Sequence, residues 1–119
     1  METEALQMIS SGGEAFSLLL ESLAEYRQGN PDVAANRIDE AHEKSLEAHK
    51  IQTQIMTLEA QDQKYRGSTL IVHAQDILMN AALLEAITKE LFEIEDKYNQ
   101  QILDLTAQIK ELKQNDQRL

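Results

Sequence analysis

Apolar residues recur at intervals of three and four along most of the chain, and the recurrence breaks at two places. The first break is Gln28-Gly29-Asn30-Pro31-Asp32. A glycine suited to a helix C-terminus is followed there by Asn30 as N-cap and Pro31 at the first helical position, where its missing N–H costs nothing. The second is the polar stretch from Gln61 to Thr69, in which Gly67 ends one segment and Ser68 offers an N-cap to the next. The pattern predicts three helices, from about Glu4 to Gln28, from Pro31 to about Ala60, and from Ser68 or Thr69 to near the C-terminus. Connections this short favour antiparallel neighbours.

The predicted buried stripe of the first helix is Ala5, Met8 or Ile9, Gly12, Phe16, Leu19, Leu23 and Tyr26, widened by Leu18 and Leu20. The second helix offers Ala34, Ile38, Ala41, Ala48, Ile51, Ile55 and Leu58, with alanines small enough for close helix approach. On the third, Leu70, Ala74, Ile77, Ala81, Leu84, Leu91, Ile94, Tyr98, Ile102, Leu105, Ile109 and Leu112 continue almost without interruption. Roughly fifty residues make this helix about 70 Å long, twice what the other two can cover. The segment after about Tyr98 is therefore expected to project or to pair with other chains. Its Ile102, Leu105, Ile109 and Leu112 have coiled-coil spacing, and isoleucine at one seam position with leucine at the other favours a parallel dimer if the segment acts alone.

Composition supports an all-α reading: only 4% of the 119 residues are aromatic, and helix formers dominate. Five aromatic side chains limit the core of a small monomer, so oligomerisation is a natural way to remove more apolar surface from water. A net charge of -10 argues against nucleic acid and against an anionic membrane surface. Without cysteine there is no disulfide, zinc-thiolate site or thiol nucleophile. The N-terminal METEALQ carries glutamates where a signal peptide carries lysine or arginine, and the sequence is read as having no apolar run near the ~20 residues that span a bilayer. A soluble, intracellular protein is the expectation.

Candidate chemistry rests on three histidines, His42, His49 and His73. His42 and His49 stand seven residues apart on the second helix, about 10 Å along its axis, too far to chelate one ion. They read first as surface or interhelix hydrogen-bonding groups. His73 shares one line of the third helix with Thr69, Asp76 and Asn80, and no lysine or glutamate occurs from Thr69 to Ala82. His73 and Asp76 are therefore expected to be partly shielded, and a shielded carboxylate needs a partner. Spacing leaves three readings open. One is a structural Asp–His hydrogen bond between packed helices. Another is a metal site, for which one histidine and one carboxylate per chain are too few ligands. The third is a nucleophilic histidine that attacks a phosphoryl group, with a neighbouring acceptor fixing its tautomer.

Three strings narrow these readings. Val72-His73-Ala74-Gln75-Asp76-Ile77-Leu78-Met79 resembles the V-H-A-Q-D-H-L-M segment of the lactose and cellobiose class of A components (enzyme IIA) of the bacterial phosphoenolpyruvate-dependent sugar phosphotransferase system. Glu47-Ala48-His49-Lys50-Ile51-Gln52-Thr53 is similar to that family's E-A-H-x-x-Q-T, and Gly13-Glu14-Ala15 with Ser17 to its G-D/Q-A-R-S. The three lie in register from the first helix to about Tyr98.

The resemblance implies a cytoplasmic phosphocarrier in which His73 accepts a phosphoryl group from the phosphocarrier protein HPr and passes it to a cysteine of the cognate B component (IIB) during sugar uptake. It implies a homotrimer of antiparallel, up-down-up three-helix bundles, with Asp76 of each chain meeting a divalent metal, commonly Mg2+, on the three-fold axis. Residues 1–98 would form the IIA domain and 99–119 a helical extension of the third helix. His49, Gln75 and backbone amides near Gly13 are candidate donors to the transferred group.

Two positions depart from the family pattern. Ile77 stands where a second histidine is usual, and Phe16 where arginine is usual. These departures, with the extension, leave an alternative: a non-catalytic helical assembly or regulatory protein that keeps the scaffold and binds partners through its C-terminal seam.

Overall fold

The structure, a computed structural model, describes residues 1–65 and 68–118. It consists of α1 (Glu2–Arg27), α2 (Pro31–Gln61) and α3 (Thr69–Arg118), with a single 3-10 turn at Gln63–Tyr65. No strand occurs among the described residues. Gly67, one of the expected breakers, lies outside them.

The first break works as its residues dictate. Gly29 adopts φ +88°, a left-handed conformation open to glycine at little cost, and reverses the chain. The N–H groups of Gln28, Gly29 and Asn30 donate to the carbonyls of Ala24, Tyr26 and Glu25, so the end of α1 is satisfied. Asn30 occupies the N-cap position of α2, but its side chain does not cap the helix. Its amide donates instead to the Glu25 carboxylate at 2.8 Å, an ionised acceptor that outcompetes a backbone partner. Before α3, the Ser68 hydroxyl accepts from the Ile71 N–H at 3.5 Å, the expected N-cap geometry at long range.

Two clusters order the helices. One joins Ala5 and Met8 of α1 to Ala48 and Ile55 of α2 and to Ile71, Ala74 and Leu78 of α3. The other joins Ala15 and Leu19 to Ala41 and Ala81. Passing from the first cluster to the second, residue numbers rise along α1 and α3 and fall along α2. The fold is thus an antiparallel, up-down-up three-helix bundle. Alanine supplies seven of its twelve buried hydrophobic positions, which brings the helix axes close.

Two stripes differ from expectation. On α1 the buried position is Ala15, with Phe16 37% exposed, and Ser22 is fully buried because its hydroxyl donates to the Ala34 carbonyl at 3.0 Å. On α3 the buried row is Ile71, Ala74, Leu78, Ala81 and Thr88, with Leu70, Ile77 and Leu84 at its half-buried edge.

The chain divides into two compact units, Met1–Thr88 and Lys89–Leu119. The first contains every buried residue; in the second none of the described residues is buried. By length and composition α3 also contains one stretch apolar enough to cross a membrane, which corrects the sequence expectation. The segment Leu70–Ile87 has only two charged residues, Asp76 and Glu85. Its row Ile71, Ala74, Leu78 and Ala81 is packed into the bundle core.

Candidate functional site

α3 presents its chemistry outward. Counting 100° per residue, His73 stands about 110° from the centre of the buried row and Asp76 about 170°, on the opposite side of the helix. Both side chains are exposed, where partial shielding was expected. The reason is that α1 and α2 cover one face of α3 only, while Val72, Met79, Leu83 and Ile87 on the opposite side stay as open as Asp76. Among the described residues no hydrogen bond joins His73 to Asp76, so the structural Asp–His reading fails within the chain. His73 is left with an unencumbered imidazole.

The other histidines separate from it. The Nδ1 of His42 is 2.9 Å from the Glu85 Oε1, an α2–α3 link in which Glu85 is 14% exposed. His49 is exposed on α2, and its carbonyl accepts a hydrogen bond from the Thr53 hydroxyl at 3.1 Å. Gln75 is half-buried. Among the described residues no hydrogen bond connects His49 or Gln75 to His73, so neither expected donor reaches it in the free chain.

One turn beyond His73 lies a groove of about 250 Å3 lined by Gly13 and Phe16 of α1 and Ile77 and Asn80 of α3. A Cβ built on Gly13 meets nothing within 4 Å, so the α1 wall is open there. Phe16 and Ile77 had been placed in buried stripes. They are instead the apolar lining of a surface groove. Their shared departure from the family pattern was the one sequence signal that set them together.

The segment Thr3–Asp96 matches the family described as "PTS system, Lactose/Cellobiose specific IIA subunit". The chain belongs to the lactose/cellobiose IIA family of the sugar phosphotransferase system. It is 34% identical to the lichenan-specific phosphotransferase enzyme IIA component of Bacillus subtilis over 85% of this chain and 92% of that one. It is also 34% identical to the lactose-specific EIIA component of Staphylococcus epidermidis, covering 76% and 88%. In three dimensions it resembles the cellobiose-specific enzyme IIA of Bacillus anthracis, with a TM-score of 0.75, 33% identity and coverage of 82% and 89%. IIA components of this family are phosphotransferases of sugar transport.

The family match ends at Asp96, within the second unit, and residues 97–119 lie beyond it. Among the described residues no group of three or more His, Asp or Glu side chains could hold a metal ion. One chain alone therefore does not fit a closed metal site; Asp76 provides a single hard oxygen donor on an open face.

Proposed function

We propose that this IIA component is a cytoplasmic phosphocarrier whose acceptor is His73, taking a phosphoryl group from HPr and delivering it to a cysteine of a IIB component during uptake of a lactose- or cellobiose-type sugar. The observation that carries the reading is the exposure of His73 within the family's own string, with no side-chain hydrogen bond to another described residue that would have to break before attack.

In the accepting step, an imidazole nitrogen attacks phosphorus in line and the donor's bond to phosphorus breaks as the new N–P bond forms. In the delivering step, the thiolate of the B component attacks and the N–P bond breaks, returning neutral imidazole. Such transfer depends on alignment and on donors to the equatorial oxygens more than on covalent assistance. Because neither His49 nor Gln75 reaches His73 in the free chain, those donors come together only when a partner protein docks. The open side of Gly13 and the groove beyond it leave room for that approach.

The second part of the proposal concerns Asp76. It stands on α3 among exposed Val72, Met79, Leu83 and Ile87, and the most apolar 18-residue stretch of the helix is only 22% buried in the single chain. A homotrimer that packs this face on a three-fold axis would cover it and gather three Asp76 carboxylates. A divalent cation such as Mg2+ would supply charge neutralisation there, since three close carboxylates repel. Asp76 takes no part in the transfer steps.

Intact-mass measurement after incubation with phosphoenolpyruvate, enzyme I and HPr tests the acceptor. A gain of one acid-labile phosphoryl group that disappears in His73→Ala, with helicity retained, is the expected result. Phosphorylation of that variant to the normal extent would overturn the assignment.

A further inference from the structure

The groove beside His73 has a chemistry of its own. Ile77, four residues on from His73 and about 6 Å further along α3, forms one wall, and Phe16, 37% exposed, forms the other. Ile77 is packed on Gly12, where an added Cβ would lie 3.0 Å from its Cγ2, so this wall is fixed before anything docks. At about 250 Å3 the opening suits one leucine, methionine or aromatic side chain rather than a whole helix. Asn80 completes the lining with an exposed amide that can bond an incoming main chain. Resting on the reading of His73 as acceptor, we infer that the groove seats an apolar side chain that the B component carries beside its cysteine, and that Phe16 and Ile77 determine which B component is served.

The delivering step asks for such a seat. As the S–P bond forms and the N–P bond breaks, its electron pair returning to the imidazole, water competes with the thiolate for the same phosphorus. Exposed His73 gives the phosphoryl group no shelter in the free chain, so the docked protein must supply it. An apolar groove one turn away gives up its water readily and lets the two surfaces close around the transferring group. Phe16 also offers an aromatic ring to a nearby sulfur, a favourable contact, at a position where a charged side chain would hold water.

Charge beyond the groove defines the rest of the partner's surface. Gly13 is shared with a second, polar groove between α1 and α2, whose lining includes Glu14, Glu21, Glu40 and Lys44. Lys44 serves both Glu14 and Glu47, at 3.3 and 3.6 Å, and Arg37 both Glu21 and Glu40, at 3.4 and 2.9 Å, so four carboxylates share two cations. A B component that fits both grooves carries lysine or arginine further out from its cysteine than the apolar side chain. The apolar contact then selects the partner and the charges speed the encounter. Ile77 stands 100° around α3 from Asp76, toward α1, so the groove lies to one side of the face proposed for the three-fold axis.

The test uses the full chain, charged at His73 with phosphoenolpyruvate, enzyme I and HPr and then mixed with increasing amounts of its own B component. Rapid quenching and intact mass follow charging and delivery separately. Phe16→Arg should raise the half-saturating concentration of the B component at least about tenfold at a little-changed limiting rate, while charging by HPr slows less than about threefold. Phe16→Leu, which keeps an apolar wall, should restore delivery to within about threefold of the parent. Phe16→Gln should impair delivery in the same sense and takes the place of the arginine variant if that one loses helicity. Val33→Arg is the control: Val33 is 38% exposed, stands in the first turn of α2 outside both grooves, and its replacement leaves both steps unchanged. Combining Glu14→Gln, Glu21→Gln and Glu40→Gln should flatten the salt dependence of delivery. Delivery by folded Phe16→Arg or Phe16→Gln at the parent's half-saturating concentration, an equal loss in charging and delivery, no recovery in Phe16→Leu, or an unchanged salt dependence overturns the inference. A parent chain that takes no phosphoryl group on His73 defeats instead the reading on which the inference rests.

Discussion

Gly12 of α1 faces Ile77 of α3 so closely that a Cβ added at Gly12 would lie 3.0 Å from the Ile77 Cγ2, 3.6 Å from the Leu78 backbone nitrogen and 3.7 Å from the Ile77 carbonyl carbon. The glycine sets the α1–α3 spacing beside the groove. An alanine would gain about 1 kcal/mol of helix propensity. It would also push on a β-branched side chain with little rotamer freedom, backed by main chain. Overpacking of this sort costs about 1–3 kcal/mol, so Gly12→Ala is expected to lower stability by a net ~1 kcal/mol in urea unfolding. Ile77→Ala removes the opposing methyl. In that background Gly12→Ala should become stabilising, and a double-mutant cycle with no coupling would show that the two residues do not press on each other.

Thr88 is fully buried, and its hydroxyl has no hydrogen-bond partner. An unmade bond of this kind carries the desolvation cost of the group without compensation. Valine keeps the branched shape and discards the hydroxyl. Thr88→Val is expected to raise stability by about 1 kcal/mol, read as a higher urea midpoint at unchanged slope. A drop would mean that the hydroxyl is satisfied in solution.

Lys44 of α2 lies 3.3 Å from Glu14 of α1 and 3.6 Å from Glu47. The side-chain bond to Glu14, then the charges of Glu14 and Glu47, hold its ammonium above the ordinary value of 10.5. A raised folded-state value means that the contribution to stability is complete below the unfolded value and fades as pH rises through the folded one. The window is therefore above about pH 10.5, and the link is intact at neutral pH. NMR titration of the Lys44 side chain should show this displacement, and Glu14→Gln should remove most of it. Because the pair is exposed, the effect on overall stability at neutral pH is expected to be small.

Much of the architecture was legible because local chemistry and tertiary packing agree. Gly29 and Pro31 mark the α1–α2 turn, Ser68 the start of α3, and the 3-4 periodicity the helices between them. The phase of the buried row on α3 was not legible. From Leu70 to Ile87 this helix is apolar on two sides, and periodicity cannot say which side α1 and α2 cover. The same ambiguity led to the expectation of a shielded Asp76, when the bundle covers the opposite side. His73 was found through its string rather than its spacing, since spacing alone put a structural hydrogen bond first. The Phe16–Ile77 groove needed three dimensions: the two residues are 61 positions apart, and each alone reads as ordinary core.

The exposed Asp76 makes the proposed axis testable through metal removal. If carboxylates from several chains share a cation, chelation should leave their repulsion uncompensated and weaken assembly, which analytical ultracentrifugation at fixed protein concentration would record as a shift to lower mass. Asp76→Leu removes both the charge and the ligand. Exchanging a neutralised ionic cluster for packed apolar groups is often neutral or stabilising, so the variant should assemble at least as well as the parent and no longer respond to chelator. Its helicity and the phosphorylation of His73 should persist, because Asp76 forms no bond to His73 and supports no buried contact within the bundle. An assembly equally indifferent to chelator before and after the substitution would remove the cation from the axis, while leaving the acceptor role of His73 intact.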